Sequence, residues 1–318
     1  MVVNGGYLFP VLVMAEKEWS TKMLKIVQSL NSFNHKDSSK KQCKPFILNG
    51  NIIGRVPPYV YQELENYNEV FTVTSDCVSL KKTLNTSEER THNVNIVLES
   101  LRNKNIFCAL RGWRNEKYNV CKSFGQKPLF QMERSAVSLF GIQQYGVHIN
   151  GYKEDEDKKM DMWIARRSYH KPTYPGKLDQ IAAGGIAAGD SIKHTLIKEC
   201  QEEASIPESL AKHAVSVGAV SYCFENERGI FPEVEFVYDL KLPGDFRPCA
   251  SDGEVEEFYC WPIEKVKEKI VSGEFKTNCA IVILDFLIRH GVVQADTEPN
   301  FVKFLTEIHQ DPAISHFM

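Results

Sequence analysis

Residues 184–206, GGIAAGDSIKHTLIKECQEEASI, decide how the rest of the chain is read. Gly184 and Gly185 predict a tight turn that leads through Gly189 into a helix from about Asp190 to Ala204. That helix carries Glu199, Glu202 and Glu203. Positions i, i+3 and i+4 share a helical face, so three carboxylates can converge there. Left uncompensated they repel one another. A hard divalent cation such as Mg²⁺ or Mn²⁺ takes oxygen ligands and removes that cost. Taken alone, E-x-x-E-E is also what a solvated helix face shows. The flanking residues separate the two readings.

The segment resembles the Nudix box, G-x5-E-x7-R-E-U-x-E-E-x-G-U, where U is a bulky aliphatic residue. Gly184 stands at the first glycine, Asp190 at the first acid and Lys198 at the arginine. Glu199, Glu202 and Glu203 stand at the three later acids and Ile206 at the last aliphatic. Four positions depart from the pattern, one of them Cys200, an acceptable small apolar residue in the helix interior. Asp190 replaces Glu and Lys198 replaces Arg, so both charges survive on shorter or less forked groups. The resemblance implies that these two hold the loop against the helix, and a Coulombic Asp190–Lys198 pair is the expectation. Ser205 replaces the glycine past the helix end, where a left-handed backbone would cost on the order of 1 kcal/mol. None of the four is an expected metal ligand.

Composition sets the frame. A chain of 318 residues has room for two domains with proper cores. It is 43% hydrophobic and 25% charged, as a globular protein is, and its net charge of −3 gives no basic excess for nucleic acid. No apolar run reaches transmembrane length. Nine cysteines without C-x-x-C spacing argue against a zinc ribbon or a secreted disulfide framework and suit a reducing compartment. The apolar start, MVVNGGYLFPVLVMA, lacks the basic residues of a signal or transit peptide. A cytoplasmic location is expected, with a mitochondrial one left open.

Along the chain, Trp19, Met23, Val27 and Leu30 form a helical stripe, and Asn49-Gly50 between KPFIL and NIIGRV predicts a hairpin. Pro57-Pro58 opens a short helix through Leu64, and residues 70–80 read as one strand. Thr86-x-x-Glu89 is a capping box for a helix that buries Val94, Val97, Leu98 and Leu101. This α+β unit ends near residue 140, and its Trp113, Arg114 and Tyr118 could line a site. Beyond it, YGVHINGYK and MDMWIARRS are strands joined by a charged loop. Further strands follow at AVSVGAVSYCF, EVEFVYDLKL and GEVEEFYCW, the second with Val234, Phe236, Tyr238, Leu240 and Leu242 alternating. Ala280, Ile281, Leu284, Leu287 and Ile288 mark a closing helix. Helices on both sides of a mixed sheet make an α/β fold. The expected division is an N-terminal α+β domain at 1–140, with a substrate-specificity role, and a Nudix-type α/β/α sandwich at 141–318.

The resemblance runs past the box. ERSAVSLFGIQQYGVHINGY, TYPGKLDQIAAGGI and FPEVEFVYDLKLP are similar to one Nudix subfamily of fungi and plants described as thiamine pyrophosphokinase-related. It implies a metal-dependent hydrolase that removes phosphate from thiamine diphosphate derivatives, the oxythiamine and oxothiamine forms. It also implies Mg²⁺ or Mn²⁺ on Glu199, Glu202 and Glu203, one of which activates water, with a further acid from GEVEE. Glu254 is preferred there over Glu256 and Glu257; alternation would set Glu254 and Glu256 on one side of a strand. Arg166 and Arg167, at a strand end facing the box, suit a diphosphate by their forked guanidinium groups. Lys177 and Asp179 are candidate substrate contacts, while His148, His170 and His194 lack joint ligand spacing.

The expected partner is a small-molecule diphosphate, with no nucleic acid and no membrane, and the oligomeric state is open. A nucleoside-diphosphate-linked substrate is the nearest alternative, and a non-catalytic thiamine diphosphate sensor is another. An isopentenyl-diphosphate isomerase would want a cysteine before the box, and IAAGG has none.

Overall fold

The computed structural model describes residues 8–251 and 253–312. The first seven residues of the apolar start lie outside that range. Helix α1 (Leu8–Ser29) is followed by β1 (Lys44–Leu48) and β2 (Asn51–Val56), joined by Asn49 and Gly50 at φ 52° and 75°. Both turn residues are left-handed, as the predicted two-residue hairpin needs. Helix α2 (Pro58–Leu64) starts on its proline, and β3 (Phe71–Val73) and β4 (Val78–Leu80) come next. The expected single strand at 70–80 is therefore a short antiparallel hairpin, broken at Thr74–Cys77 where the Thr74 hydroxyl accepts from Cys77 N. Helix α3 (Ser87–Lys104) begins with the predicted capping box: Glu89 N donates to Thr86, and Thr86 N to the Glu89 carboxylate. Strands β5 (Lys117–Val120) and β6 (Phe130–Glu133) complete a unit whose core is aromatic. Phe140 packs there against Phe46 and Phe71, with ring centroids 5.4 and 5.8 Å apart.

The second sheet has seven strands: β7 (Gln144–Glu154), β8 (Met160–Arg167), β9 (Leu178–Asp179), β10 (Ala182–Gly185), β11 (Val215–Asn226), β12 (Gly229–Lys241) and β13 (Val255–Pro262). Their order is β11-β12-β7-β8-β13, with β10 paired to β7 and β9 to β8. Only β12 and β7 run parallel, so the sheet is mixed. Helix α4 (Ile192–Ala204) and the short α5 (Glu208–Ala211) cover one face through Leu196, Cys200, Ala204 and Ala211. Helices α6 (Ile263–Ile270), α7 (Thr277–Arg289) and α8 (Phe301–Glu307) cover the other. The architecture is the expected α/β/α sandwich preceded by an α+β unit.

Helix α1 departs from the division at residue 140. Its stripe of Met23, Val27 and Leu30 is buried in the core of the second sheet, beside α7. Trp19 meets Phe304 edge-on at 6.1 Å and donates its indole N–H to Lys267 O. Periodicity showed that the helix has an apolar face; the partner of that face is a long-range contact that periodicity does not carry.

Candidate active site

Strand β10 runs straight into the box helix, so backbone and box carboxylates are delivered together. Gly184 and Gly185 are the end of this strand rather than a turn. Gly189, at φ 96°, makes the turn, and Ser191 caps α4 by accepting from His194 N at 3.1 Å. At the other end, Ser205 takes the left-handed conformation at φ 52° in the glycine position of the box. Its N–H reaches Gln201 O, Ile206 N reaches Cys200 O, and its hydroxyl donates to Cys249 O at 2.8 Å. That last bond offsets part of the strain.

Three glycines clear the space in which the carboxylates sit. A Cβ on Gly184 would lie 2.2 Å from Glu199 Oε1, and one on Gly146 would lie 2.1 Å from Glu235 Oε2. A Cβ on Gly185 would lie 1.8 Å from the Tyr118 hydroxyl. Gly185 and Gly146 are paired across β10 and β7. Around this opening lies a cavity of about 390 Å³, and it joins the two units. Tyr118, Arg114, Glu116 and Arg134 come from the first unit, and the box acids from the second. Ala188 N donating to Lys117 O at 2.7 Å and the Ser138 hydroxyl donating to Arg228 O at 2.9 Å hold the two together.

Glu203 is only 8% exposed, and its Oε2 accepts from Ala183 N at 2.8 Å. Burial, with Asp179 and Glu199 nearby, pushes its carboxyl up to about 8. Burial, with Glu202 nearby, pushes Glu199 up to about 7. The ionised forms are costly here unless positive charge is added. Glu202 sits one residue round the helix, about 100° from Glu203. It is half exposed, 4.0 Å from Lys198 Nζ. The three carboxylates therefore do not converge at a single point. Among the described residues, the group of three ligand atoms within 4.8 Å of one another is instead His148, Asp179 and Cys279. Those atoms already serve one another. The Cys279 thiol donates to Asp179 at 2.7 Å, Asp179 pairs with Arg167 at 2.9 Å, and His148 Nδ1 meets Gln180 Oε1 at 2.8 Å. This is a satisfied polar core, not a cation site.

The fit to a hard divalent cation rests on Glu199 and Glu203. Both offer oxygen donors, Glu203 is buried and Glu199 half-buried, and neither is neutralised by a direct ion pair among the described residues. Glu254 lines the same cavity and is ion-paired to Lys171. Its strand start is bulged between Val255 and Glu257, which breaks the simple alternation expected for GEVEE. Glu256 is exposed, and Glu257 reaches Arg166 at 3.3 Å; neither lines the cavity.

The other sequence candidates separate. Arg166 lies outside the cavity lining; its guanidinium donates to Glu257, Tyr259 and Gly176 O. Lys177 also lies outside it, with Nζ donating to Gly273 O at 2.6 Å. Asp179 lies beneath the lining, buried against Arg167. Arg167 lines the cavity, but it donates to Asp179, Thr173 O and Tyr174 O. The structure thus does not bring Arg166, Lys177 or Asp179 into the cavity lining. A strand end faces two ways, and β13 and the 168–177 loop claim those groups first. The expected Asp190–Lys198 pair is also absent. Asp190 instead pairs with His194 at 2.9 Å, one helical turn on.

Sequence reasoning passed over Lys171, Arg134, Gly146, Glu233 and Glu235, all of which line the cavity. Of the three first-unit residues it suggested, Arg114 and Tyr118 are there; Trp113 is not, and bonds Asn115 instead. The signal that could have found Glu233 and Glu235 is the half of the β12 alternation that the apolar residues leave over.

Two family models tile the chain: a domain of unknown function, DUF4743, over residues 23–144, and the NUDIX domain over residues 145–279. Nudix hydrolase 24, chloroplastic, of Arabidopsis thaliana is 40% identical over 256 residues, 80% of this chain and 69% of that protein. The chain belongs to the Nudix hydrolase family. An uncharacterized protein of Saccharomyces cerevisiae is 36% identical over 82% of this chain and 81% of its own length. A solved MutT protein from Methanosarcina mazei Go1 is 20% identical, with a TM-score of 0.36 over 47% of this chain and 95% of that one. This Nudix protein is a phosphoanhydride hydrolase acting on a small-molecule diphosphate. Enzymes of its family generally need a divalent metal. No helix among its described residues is long and apolar enough to cross a membrane.

Proposed function

We propose that this hydrolase cleaves the terminal phosphate from thiamine diphosphate derivatives, the oxythiamine and oxothiamine forms, leaving the monophosphate and inorganic phosphate. One observation carries the reading: the cavity has chemically unlike surfaces that suit a diphosphate joined to a ring. Arg114, Arg134 and Lys171 stand near Glu199 and Glu203, while Phe224, Phe231, Glu233 and Glu235 form another part of the wall. The thiamine assignment itself comes from the subfamily resemblance, which spans both units.

The residues divide the work. Glu199 and Glu203 would hold Mg²⁺ or Mn²⁺, with Glu202 and Glu254, which line the same cavity, turning in to complete the oxygen set. When bound, that ion neutralises phosphate charge and lowers the pKa of water. A glutamate of the box takes the proton of the attacking water, and Glu203, already fixed by Ala183 N–H, is the one we assign. Gly184 keeps backbone and carboxylate close enough to share the phosphate-binding space. Lys171 and Arg114 attract the anionic end. Lys171 already neutralises Glu254, so its ammonium can shift between that carboxylate and a phosphate. A cytoplasmic location belongs to this reading, supported by nine cysteines with no disulfide among the described residues.

Phosphate release decides it. The panel is thiamine diphosphate, its oxythiamine and oxothiamine forms, ADP-ribose and a nucleoside triphosphate, each with Mg²⁺ or Mn²⁺ and with E203Q as control. Preference for the oxidised thiamine diphosphates, lost in E203Q, is expected. Preference for a nucleotide would overturn the thiamine assignment and leave the hydrolase intact.

A further inference from the structure

Gln144, Glu233 and Glu235 take no part in the chemistry just described, yet they line the same cavity. Gln144 and Glu233 are directly paired across the parallel β7–β12 ladder, and Glu235 faces Gly146 one step along. Tyr222 lies opposite Glu233 on β11. Its hydroxyl lies within hydrogen-bond reach of Glu233 Oε2 and of Glu235 Oε1, at 2.5 and 3.0 Å. One phenol has one proton, so it cannot serve both carboxylates. Glu235 has other neighbours: Asn278 Nδ2 at 3.4 Å and His148 Nε2 at 3.7 Å. Among the described residues Tyr222 is the only hydrogen-bond partner of Glu233 and no donor meets its Oε1; the charges of Lys276 and His148 act on it without a hydrogen bond. Facing it, the buried Nε2 of Gln144 has no hydrogen-bond partner. A buried donor left unpaired is costly, and here a free acceptor stands across from it.

The surroundings are aromatic. Phe224 and Phe231 stack with centroids 4.7 Å apart and planes 5° from parallel, and both line the cavity. Arg228 lies over Phe231, 5.4 Å from its centroid. Beyond Glu235, the Cβ-free gap at Gly146 and Gly184 leads to Glu199. An acceptor, a donor and a flat apolar wall thus stand beside the hydrolytic carboxylates.

We infer that Gln144, Glu233 and the Phe224–Phe231 pair form the subsite that reads the non-phosphate end of the substrate. Its ligand is a planar nitrogen heterocycle that gives an N–H to Glu233, takes one from Gln144 and lies against the phenyl rings. This rests on the reading of the cavity as a site for a diphosphate joined to a ring. A pyrimidine of the thiamine type and a nucleobase share that chemistry, and the test separates them. Burial and the charge of Glu235 raise the Glu233 carboxyl to about 7, and it is the unprotonated Oε1 that accepts the ring N–H.

The test compares kcat/KM for three diphosphates with Mg²⁺: oxythiamine diphosphate, ADP and methyl diphosphate, which has no ring. Wild type, Q144A and the conservative E233Q are assayed side by side. Both variants should lower the preference for a ring-bearing over the ring-free diphosphate by about tenfold, the loss of one hydrogen bond to a buried or charged group. The ring that loses the preference identifies the source. Equal change for all three diphosphates, or none, overturns the subsite.

Calorimetry of unphosphorylated oxythiamine and adenosine against E203Q gives a readout that does not need turnover. Ring binding that Q144A abolishes in the E203Q background supports the subsite even if no tested diphosphate is hydrolysed, which would count against the proposed function alone. Turnover of oxythiamine diphosphate without ring preference would do the reverse.

Discussion

Asp179 and the box pair Glu199 and Glu203 sit around the same cavity, and their surroundings push their carboxyls in opposite directions. Asp179 lies under the cavity with Arg167 at 2.9 Å and Lys276 and Cys279 beside it. Burial opposes its charge, yet Lys276 and Arg167 hold its carboxyl well below the usual range. Glu199 and Glu203, on the box helix, have burial and neighbouring carboxylates, Glu202 for the first and Asp179 and Glu199 for the second, and rise to about 7 and 8. A satisfied cluster like the first holds a fold together. An unsatisfied one like the second costs stability until a ligand arrives, which is where function is found.

The largest expected effect is on turnover. E203Q should lower kcat roughly 10²–10⁴-fold, the usual contribution of a positioned base. Its far-ultraviolet circular dichroism should be unchanged, and its metal-free melting temperature should be no lower than wild type, because a repelling buried carboxylate is gone. A large loss of stability would place Glu203 with the structural cluster instead.

D179N should do the opposite. Breaking a buried pair costs about 3–5 kcal/mol, because Arg167 and Lys276 stay buried with reduced compensation. Urea unfolding would register that loss, and an unchanged midpoint would break the contrast. The pH dependence has a definite sign. The folded carboxyl of Asp179 titrates below its unfolded value, so its stabilisation is complete above the unfolded pKa, about 3.9. It is lost as pH falls through the folded value. Wild type should therefore lose stability on acidification below about pH 4 more steeply than D179N.

A smaller effect is expected from G184A. Its new methyl group would meet Glu199, and overpacking of this kind costs about 1–3 kcal/mol. Metal-dependent protection against thermal unfolding should weaken along with it, since the carboxylate must move. The smallest is S205G. Glycine removes the left-handed strain, worth on the order of 1 kcal/mol, but it also removes the hydrogen bond to Cys249 O. A gain of under about 1 kcal/mol in urea unfolding is expected, with turnover unchanged.

Much of this was legible in local patterns. Apolar stripes placed α1, α3 and α7, the Asn49-Gly50 pair placed the first hairpin, and the glutamate spacing marked the box helix. Those features depend on neighbours within one or two turns. What lay outside those local patterns has a different cause. Arg166, Lys177 and Asp179 were near the box in sequence, but partners on β13, on the loop at Gly273 and on α7 hold them elsewhere. On β12 the apolar alternation was read, and the residues between went unread. Glu235 and Asp239 are buried there, while Val234 of the apolar alternation is only half-buried. Alternation tells which residues share a face. It does not tell which face meets the cavity.

By itself the sequence determined the element types, the order of the two units and the helix that carries Glu199, Glu202 and Glu203, because period, capping and turn chemistry act over a few residues. Only the tertiary structure decided that Glu199 and Glu203 turn inward while Glu202, on the lining of the same cavity, stays half exposed beside Lys198. It alone brought Arg114, Tyr118 and Arg134 of the first unit against the box, and seated α1 in the core of the second. Each of those outcomes depends on which surfaces exclude water together, and that is settled between residues tens to hundreds of positions apart.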